Sequence, residues 1–348
     1  MAEKQTMSQI MKSLNKEFGS ELLHLGLSSY DYTRIPFTSP RLNYVTYGGI
    51  PQGKLIEFYG AEHGGKTTTA LDIVANYQRM ENSKGVLYAD LENTLDTVWA
   101  SKLGVDFNRD NMWVLNPTNQ GAETIFEKIL QMIETDEIGL IIIDSIGVMV
   151  SNQALEKSVE DKTYGGIAMA LTNFSKKAEM LCNKYNCTII GINQLRDDLN
   201  STYGGSTTPG GKAWRHNCIA RLEFRHGNFF DSKYKDLSKR ADNPIGNYVE
   251  VYMAKNKTCP ADRHNGFYTL RYDIGVDYLY DLIDMCVAFE FITKRGSWFD
   301  ILNPQTGELL VDSIQGQSNV YEFLQKDENT EILIQLEELV EAKISVRD

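Results

Sequence analysis

Eight residues, Gly60-Ala61-Glu62-His63-Gly64-Gly65-Lys66-Thr67, read G-x-x-x-x-G-K-T, and Thr68 extends them. Glycines at those positions let the backbone curl around an anion, so that successive N–H groups and a helix N-terminus face it. Lys66 has the reach to meet β- and γ-phosphates, and the Thr67 hydroxyl suits a Mg²⁺ shell. The chemistry expected of this stretch is nucleoside triphosphate binding. Two further groups of oxygen donors fit the same purpose. Asp90 and Glu92 close the apolar run Gly85–Ala89, where a carboxylate is positioned to polarise an attacking water. Asp144 closes Leu140-Ile141-Ile142-Ile143 about 75 residues after the loop, the Walker B pattern that delivers an acid to the metal. A fourth apolar run, Cys187 to Ile192, ends in Asn193-Gln194. Gln194 there is suited to hydrogen-bond a γ-phosphate or its water and to report nucleotide state to the loop behind it. Lys255 and Lys257 follow the strand-like Tyr248–Ala254. They read either as a solvated strand tip or as cations for transferring phosphoryl oxygens, acting across a subunit interface.

These groups need a scaffold. Leu55–Tyr59 has strand character, and Leu71, Ile73, Val74 and Tyr77 after the loop recur as on a helix. Strands alternating with helices imply an open, mostly parallel sheet whose ligands sit at the carboxyl ends of its strands. Asp90 and Glu92 are both expected there, beside the phosphates. Two polar stretches leave those same ends. Glu156–Gly166 follows the Walker B strand, and Arg196–Gly211, rich in Gly, Ser and Thr, follows Gln194. Long loops without apolar periodicity inside a compact domain suit a second ligand. The N-terminal 29 residues carry Ile10, Met11, Leu14 and Phe18 at helical spacing, followed by Leu22, Leu23 and Leu25. That helix packs either on its own domain or on another subunit. Residues 34–53 are rich in turn formers. Beyond about 271 the pattern becomes helical, with a hairpin-like Gly296-Ser297-Trp298-Phe299 and a terminal helix, Glu331–Ile344.

Composition narrows the choices. At 348 residues the chain holds one large core with appendages. No apolar run reaches a membrane span, and the N-terminus lacks the apolar centre of a secretory signal. Five cysteines without a C-x-x-C pair argue against a disulfide framework or zinc site. With a formal charge of −12, any nucleic-acid contact must come from a local groove rather than a global field.

Taken together, the motifs resemble the bacterial RecA recombinase family, as a phage-type or otherwise divergent member. LNKEFG, GAEHGGKT, DLENTLD with WASKLGVD, IIIDS, INQLR, TPGGKA, KNK and GSWF keep order and spacing over nearly the whole chain. INQLR and KNK are more specific to recombinases than to phosphate-loop ATPases at large. The resemblance implies a RecA-type α/β core with a mostly parallel sheet. It divides the chain into 1–33 as a subunit-packing helix, 34–270 as the ATPase core and 271–348 as a small α+β domain. It implies ATP and Mg²⁺ as cofactors, with Glu92 activating water and Gln194 sensing the γ-phosphate. Asp96 and Trp99 fall at adenine, and Lys255 and Lys257 at the neighbouring subunit's ATP. Residues 157–165 and 195–209 match two DNA-binding loops, with Thr172, Lys176, Arg196, Gly210, Gly211 and Lys212 as DNA contacts. The partners so implied are single- and double-stranded DNA and further copies of the chain in a helical filament. A single-strand-binding protein and a loading mediator are accessory, no membrane is involved, and the setting is the cytoplasm of a bacterial or phage-infected cell, at the nucleoid.

The departures from the family pattern bear on DNA. Met169 replaces an arginine, Asp197 and Asp198 add negative charge, and His216 replaces an aromatic. Glu250 and Tyr252 replace basic residues; the segment 231–240 offers four cations as substitutes. Because phosphate neutralisation supplies most non-specific DNA affinity, these changes are expected to weaken binding or alter its salt dependence. The expected function is an ATP-dependent recombinase promoting homologous pairing and strand exchange. The rivals are a non-catalytic, ATP-binding mediator or filament scaffold, and a RecA-fold ATPase acting on protein.

Overall fold

The computed structural model describes residues 5–18, 32–156, 166–197, 206–238, 240–303 and 306–345. The two DNA-loop expectations therefore fall largely outside the described residues: all of 157–165, and 198–205 of the second. So do Asp198, Lys239 and the leucines of 22–25. Met1–Thr33 and Arg34–Asp348 form two compact units. In the first, helix α1 (Met7–Phe18) opens with a reciprocal cap. Gln9 N–H donates to Thr6 Oγ1 and Thr6 N–H to Gln9 Oε1, satisfying donors that a helix start leaves free.

In the second unit the strands are β1 (Arg34–Ile35), β2 (Ile50–Pro51), β3 (Leu55–Gly60), β4 (Gly85–Asp90), β5 (Met112–Leu115) and β6 (Ile138–Asp144). They continue as β7 (Thr188–Gln194), β8 (Arg196–Asp197), β9 (Ser206–Thr207), β10 (Ala220–Phe230), β11 (Asp236–Leu237) and β12 (Gly246–Asn256). The last five are β13 (Asn265–Arg271), β14 (Gly275–Val276), β15 (Ile292–Arg295), β16 (Trp298–Leu302) and β17 (Leu309–Gln315). The helices are α2 (Pro40–Thr46), α3 (Lys66–Arg79), α4 (Thr97–Lys102), α5 (Ala122–Glu134), α6 (Asn152–Glu156) and α7 (Gly166–Tyr185). After them come α8 (Gly211–Asn217), α9 (Tyr278–Ala288), α10 (Gln317–Leu324) and α11 (Thr330–Ser345).

The large sheet runs β5-β4-β6-β7-β3-β10-β12-β13-β14, with β11 on β10. The six strands from β5 to β10 are parallel neighbours; β12, β13 and β14 extend them antiparallel. This explains why β6 and most of β7 read as apolar runs, and why β3 is apolar but for Glu57: both faces are covered. Ile142, Ile190 and Phe58 pack with Ile73, Val74 and Tyr77 of α3 on one face. Ile141, Ile143 and Ile189 pack with Ile129 of α5 and Phe174 of α7 on the other. Each such side chain is worth roughly 1.5–3 kcal/mol of burial. The C-terminal segment builds an antiparallel sheet, β15-β16-β17, over its own cluster of Ile283, Met285, Phe299, Ile301, Val320 and Leu336. Arg263 ties it to α2, donating to Tyr44 O and Ile344 O.

Candidate nucleotide site and nucleic-acid loops

β3 delivers the phosphate loop, and the loop has no room for side chains at two of its glycines. A Cβ on Gly60 would stand 2.1 Å from Phe224 O of β10. Gly65 has φ +90°, and a Cβ there would meet both Val249 methyls at 2.9 Å. The loop thus lies close against β10 and β12, and the glycines are steric necessities. α3 starts at Lys66, so the first-turn N–H groups that a helix cannot pair internally belong to Lys66, Thr67 and Thr68. The Lys66 ammonium is half enclosed by the loop itself, donating to Gly60 O at 3.2 Å and Ala61 O at 2.5 Å. Burial lowers its pKa, and the carboxylates of Asp144, Glu92 and Glu62 oppose that shift. Such a cation gains most from an incoming polyphosphate.

The acids separate into different roles. Asp144 Oδ2 accepts from Thr67 Oγ1 at 2.8 Å and from the buried Tyr88 hydroxyl at 2.8 Å. Burial raises the Asp144 pKa, and those two hydrogen bonds resist the rise. Thr67 and Asp144 are adjacent oxygen donors, which suit Mg²⁺. Among the described residues no cluster of three His, Cys, Asp or Glu forms a metal cage. Two protein oxygens are what a cation completed by phosphate and water requires. Glu92 accepts from Ser145 Oγ, so β4 and β6 present it beside Asp144. Asp90 corrects the expectation that it faces the phosphates. It is buried, and its carboxylate accepts Thr94 N–H at 3.1 Å and Leu95 N–H at 3.0 Å. It holds the turn that carries Glu92.

Gln194 lies in register with Gly60, and the next N–H, Leu195, donates to Gly60 O. The strand that ends in the expected sensor is therefore bonded to the first residue of the phosphate loop. The second loop is not structureless at its base. β8 and β9 pair, Arg196 with Thr207, and the Arg196 guanidinium donates to Gly147 O at 2.8 Å. Gly210 and Gly211, with φ +98° and +78°, seat the loop's far end on α7; a Cβ on Gly210 would meet Leu171 at 2.2 Å. This brings Gly210, Gly211 and the exposed Lys212 beside the helix carrying Thr172 and Lys176. Lys176 is exposed, while Thr172 Oγ1 donates to Ala168 O.

Other expected site residues are kept apart. Lys255 is in register with Arg221, itself opposite Glu57, and Lys257 N–H donates to Ile219 O beside the start of β3. At about 3.3 Å per residue, the length of β3 alone separates Lys257 from the phosphate loop by about 17 Å. Within one chain neither lysine joins Lys66. Lys255 Nζ donates instead to Arg215 O and His216 O at the end of α8, and burial, then Lys257, lowers its pKa. Asp96 caps α4 through Val98 N–H and Trp99 N–H, and Trp99 is half buried against the core. The cleft beside the phosphate loop, about 780 Å³, is walled by His226, Phe229, Asn247 and Tyr272 rather than by these two. Tyr272 donates to Asn247 Oδ1 at 2.9 Å and also borders a hollow shared with Lys102 of α4. No motif singles out Tyr272; its place at the end of a strand next to the loop's neighbours is a matter of sheet order. Met169, His216, Glu250 and Tyr252 are all exposed.

A phosphate loop on the central strand of a mostly parallel sheet, with Thr67 and Asp144 in contact and an acid one strand further on, defines a nucleotide-binding ATPase-type core. The sequence matches the family RecA N-terminal domain over residues 5–277. It is 34% identical to Protein RecA of Fusobacterium nucleatum over 339 residues, which cover 96% of this chain and 83% of that protein. It is 32% identical to Protein RecA of Clostridium tetani over 297 residues, covering 85% and 78%. Protein RecA of Mycoplasma mycoides is 30% identical over 343 residues, covering 97% and 93%. The chain belongs to the RecA family, the recombinases of homologous recombination and DNA repair.

Proposed function

We propose that the chain is an ATP-dependent recombinase that assembles as a helical filament on single-stranded DNA and catalyses homologous pairing and strand exchange. The observation that carries this reading is one junction: Gln194, in register with Gly60, ends the strand that opens directly into the second polar loop. Nucleotide and DNA elements share a backbone hydrogen bond, as a DNA-stimulated ATPase needs. In this reading Lys66 and the α3 N-terminus bind the phosphates of ATP, and Thr67 and Asp144 hold Mg²⁺, which supplies charge neutralisation at the phosphoryl oxygens. Glu92, fixed by Ser145, orients the attacking water. Lys255 and Lys257, too distant from their own chain's loop, serve the ATP of the next protomer, so nucleotide binds subunits together. Thr172, Lys176, Arg196, Gly210, Gly211 and Lys212 line the DNA path. No helix among the described residues is long and apolar enough to cross a membrane.

The test is steady-state ATP hydrolysis with and without single-stranded DNA across a range of salt. Stimulation that declines with added salt is the expected result. A rate indifferent to DNA would overturn the reading.

A further inference from the structure

Glu57 is a carboxylate at the middle of the central strand, and it is fully buried. A buried acid is tolerated only when its oxygens are paired. Each has one partner, from a different strand. Arg221 of β10, opposite it in register, donates to Oε2 at 2.5 Å. Asn193 of β7, also fully buried, donates to Oε1 at 2.9 Å. The same amide nitrogen gives its second N–H to Pro209 O at 2.9 Å, the last residue of the second loop. The Asn193 Oδ1 accepts the N–H of Gln194 at 3.2 Å. Arg221 lies over the Tyr59 ring at 4.5 Å and is in register with Lys255. One side chain thus touches the strand carrying the phosphate loop, the residue before the loop's base and the loop's far end.

We propose that Asn193 is a positioning residue that couples the nucleotide site to the second loop, using buried Glu57 as its fixed anchor. Displacing Pro209 orphans an amide N–H in a dry environment, and rotating Asn193 to follow it breaks the bond to Glu57 and frees Gln194 N–H. The loop end and Gln194 therefore shift together or not at all. This inference rests on the reading that nucleotide and DNA binding are linked in this protein.

The test compares the full chain with Asn193→Ala and Glu57→Gln. Affinity for a fluorescent 20-nucleotide single strand is measured with and without a slowly hydrolysed ATP analogue. The ratio of those affinities is the coupling factor, and affinity for the analogue alone is the control. Asn193→Ala is expected to lower the coupling factor on the order of tenfold, within the usual range of such linkages. Analogue affinity should stay within about twofold, since no phosphate contact is removed. Glu57→Gln keeps an acceptor for Asn193 and should keep the coupling. An unchanged coupling factor in Asn193→Ala overturns the proposal, as does a parallel fall in all three affinities with a lowered melting temperature. Should Asn193→Ala not fold, Asn193→Ser keeps one donor, and the same readings apply. A parent protein whose DNA affinity ignores the analogue would sink the functional reading itself, a different result.

Discussion

Asp72 lies in α3, six residues after Lys66, with 3% of its surface exposed. Its Oδ2 accepts Thr38 N–H at 3.0 Å, but burial dominates and pushes its pKa from 3.8 up to about 6. The folded chain therefore holds this proton more tightly than the unfolded chain. The sign follows: the stabilising contribution is fully present below pH 3.8 and is lost as pH rises through about 6. The gap between those two values amounts to about 3 kcal/mol. Asp72→Asn removes the charge and keeps the shape. Its oxygen still accepts from Thr38 N–H, and its amide can donate to Thr38 Oγ1. Urea unfolding of parent and variant, followed from about pH 4 to about pH 8, isolates this group because other titrations cancel in the difference. The curves should coincide at the acid end and separate through the middle. Above about pH 7 the variant should be the more stable by about 3 kcal/mol. A difference that does not vary with pH, or a variant weaker than the parent at the alkaline end, would mean that Asp72 is not held protonated by burial.

Removing the loop cation in Lys66→Ala should abolish ATP-dependent assembly on DNA; filaments of ordinary length under ATP, seen by electron microscopy, would contradict the role given to Lys66. Glu92→Gln keeps an acceptor for Ser145 Oγ, so ATP should bind normally while turnover falls by roughly 10²–10⁴-fold, the usual worth of a positioned base. Near-normal turnover would remove Glu92 from the chemistry. Gly60→Ala should lose nucleotide binding in a fluorescence titration, because its methyl would sit 2.1 Å from Phe224 O; retained affinity would show that β10 yields. Tyr88→Phe takes one hydrogen bond from the Asp144 carboxylate and should lower stability by roughly 1.5–3 kcal/mol, measurable by urea unfolding. An unchanged midpoint would mean that Thr67 alone suffices to hold Asp144.

Much of the site follows from local spacing. The phosphate loop is a contiguous turn between a strand and a helix, so eight residues announce it without help from the rest of the chain. Asp144, Glu92 and Gln194 are equally legible, because each ends an apolar run and a parallel sheet gathers such ends on one edge. Asp90 and Glu92 are indistinguishable on those terms. The fold separates them by turning Asp90 inward onto the N–H groups of Thr94 and Leu95. The same holds for Lys255 and Lys257. Their sequence reads as a strand end, but β12 runs antiparallel to β3, and that direction brings Lys255 level with Glu57 and Lys257 beside the start of β3, away from Lys66.

Local sequence is enough to mark the residues suited to phosphate, the acids expected beside them and the loops that follow. The partnerships come from the fold. Glu57 meets Asn193 and Arg221, Tyr88 meets Asp144, and Tyr272 joins the cleft wall through contacts between segments dozens to more than a hundred residues apart. Hydrophobic periodicity fixes which face of a strand is buried. Which strand lies next to it, and in what register, is set by closing the whole core.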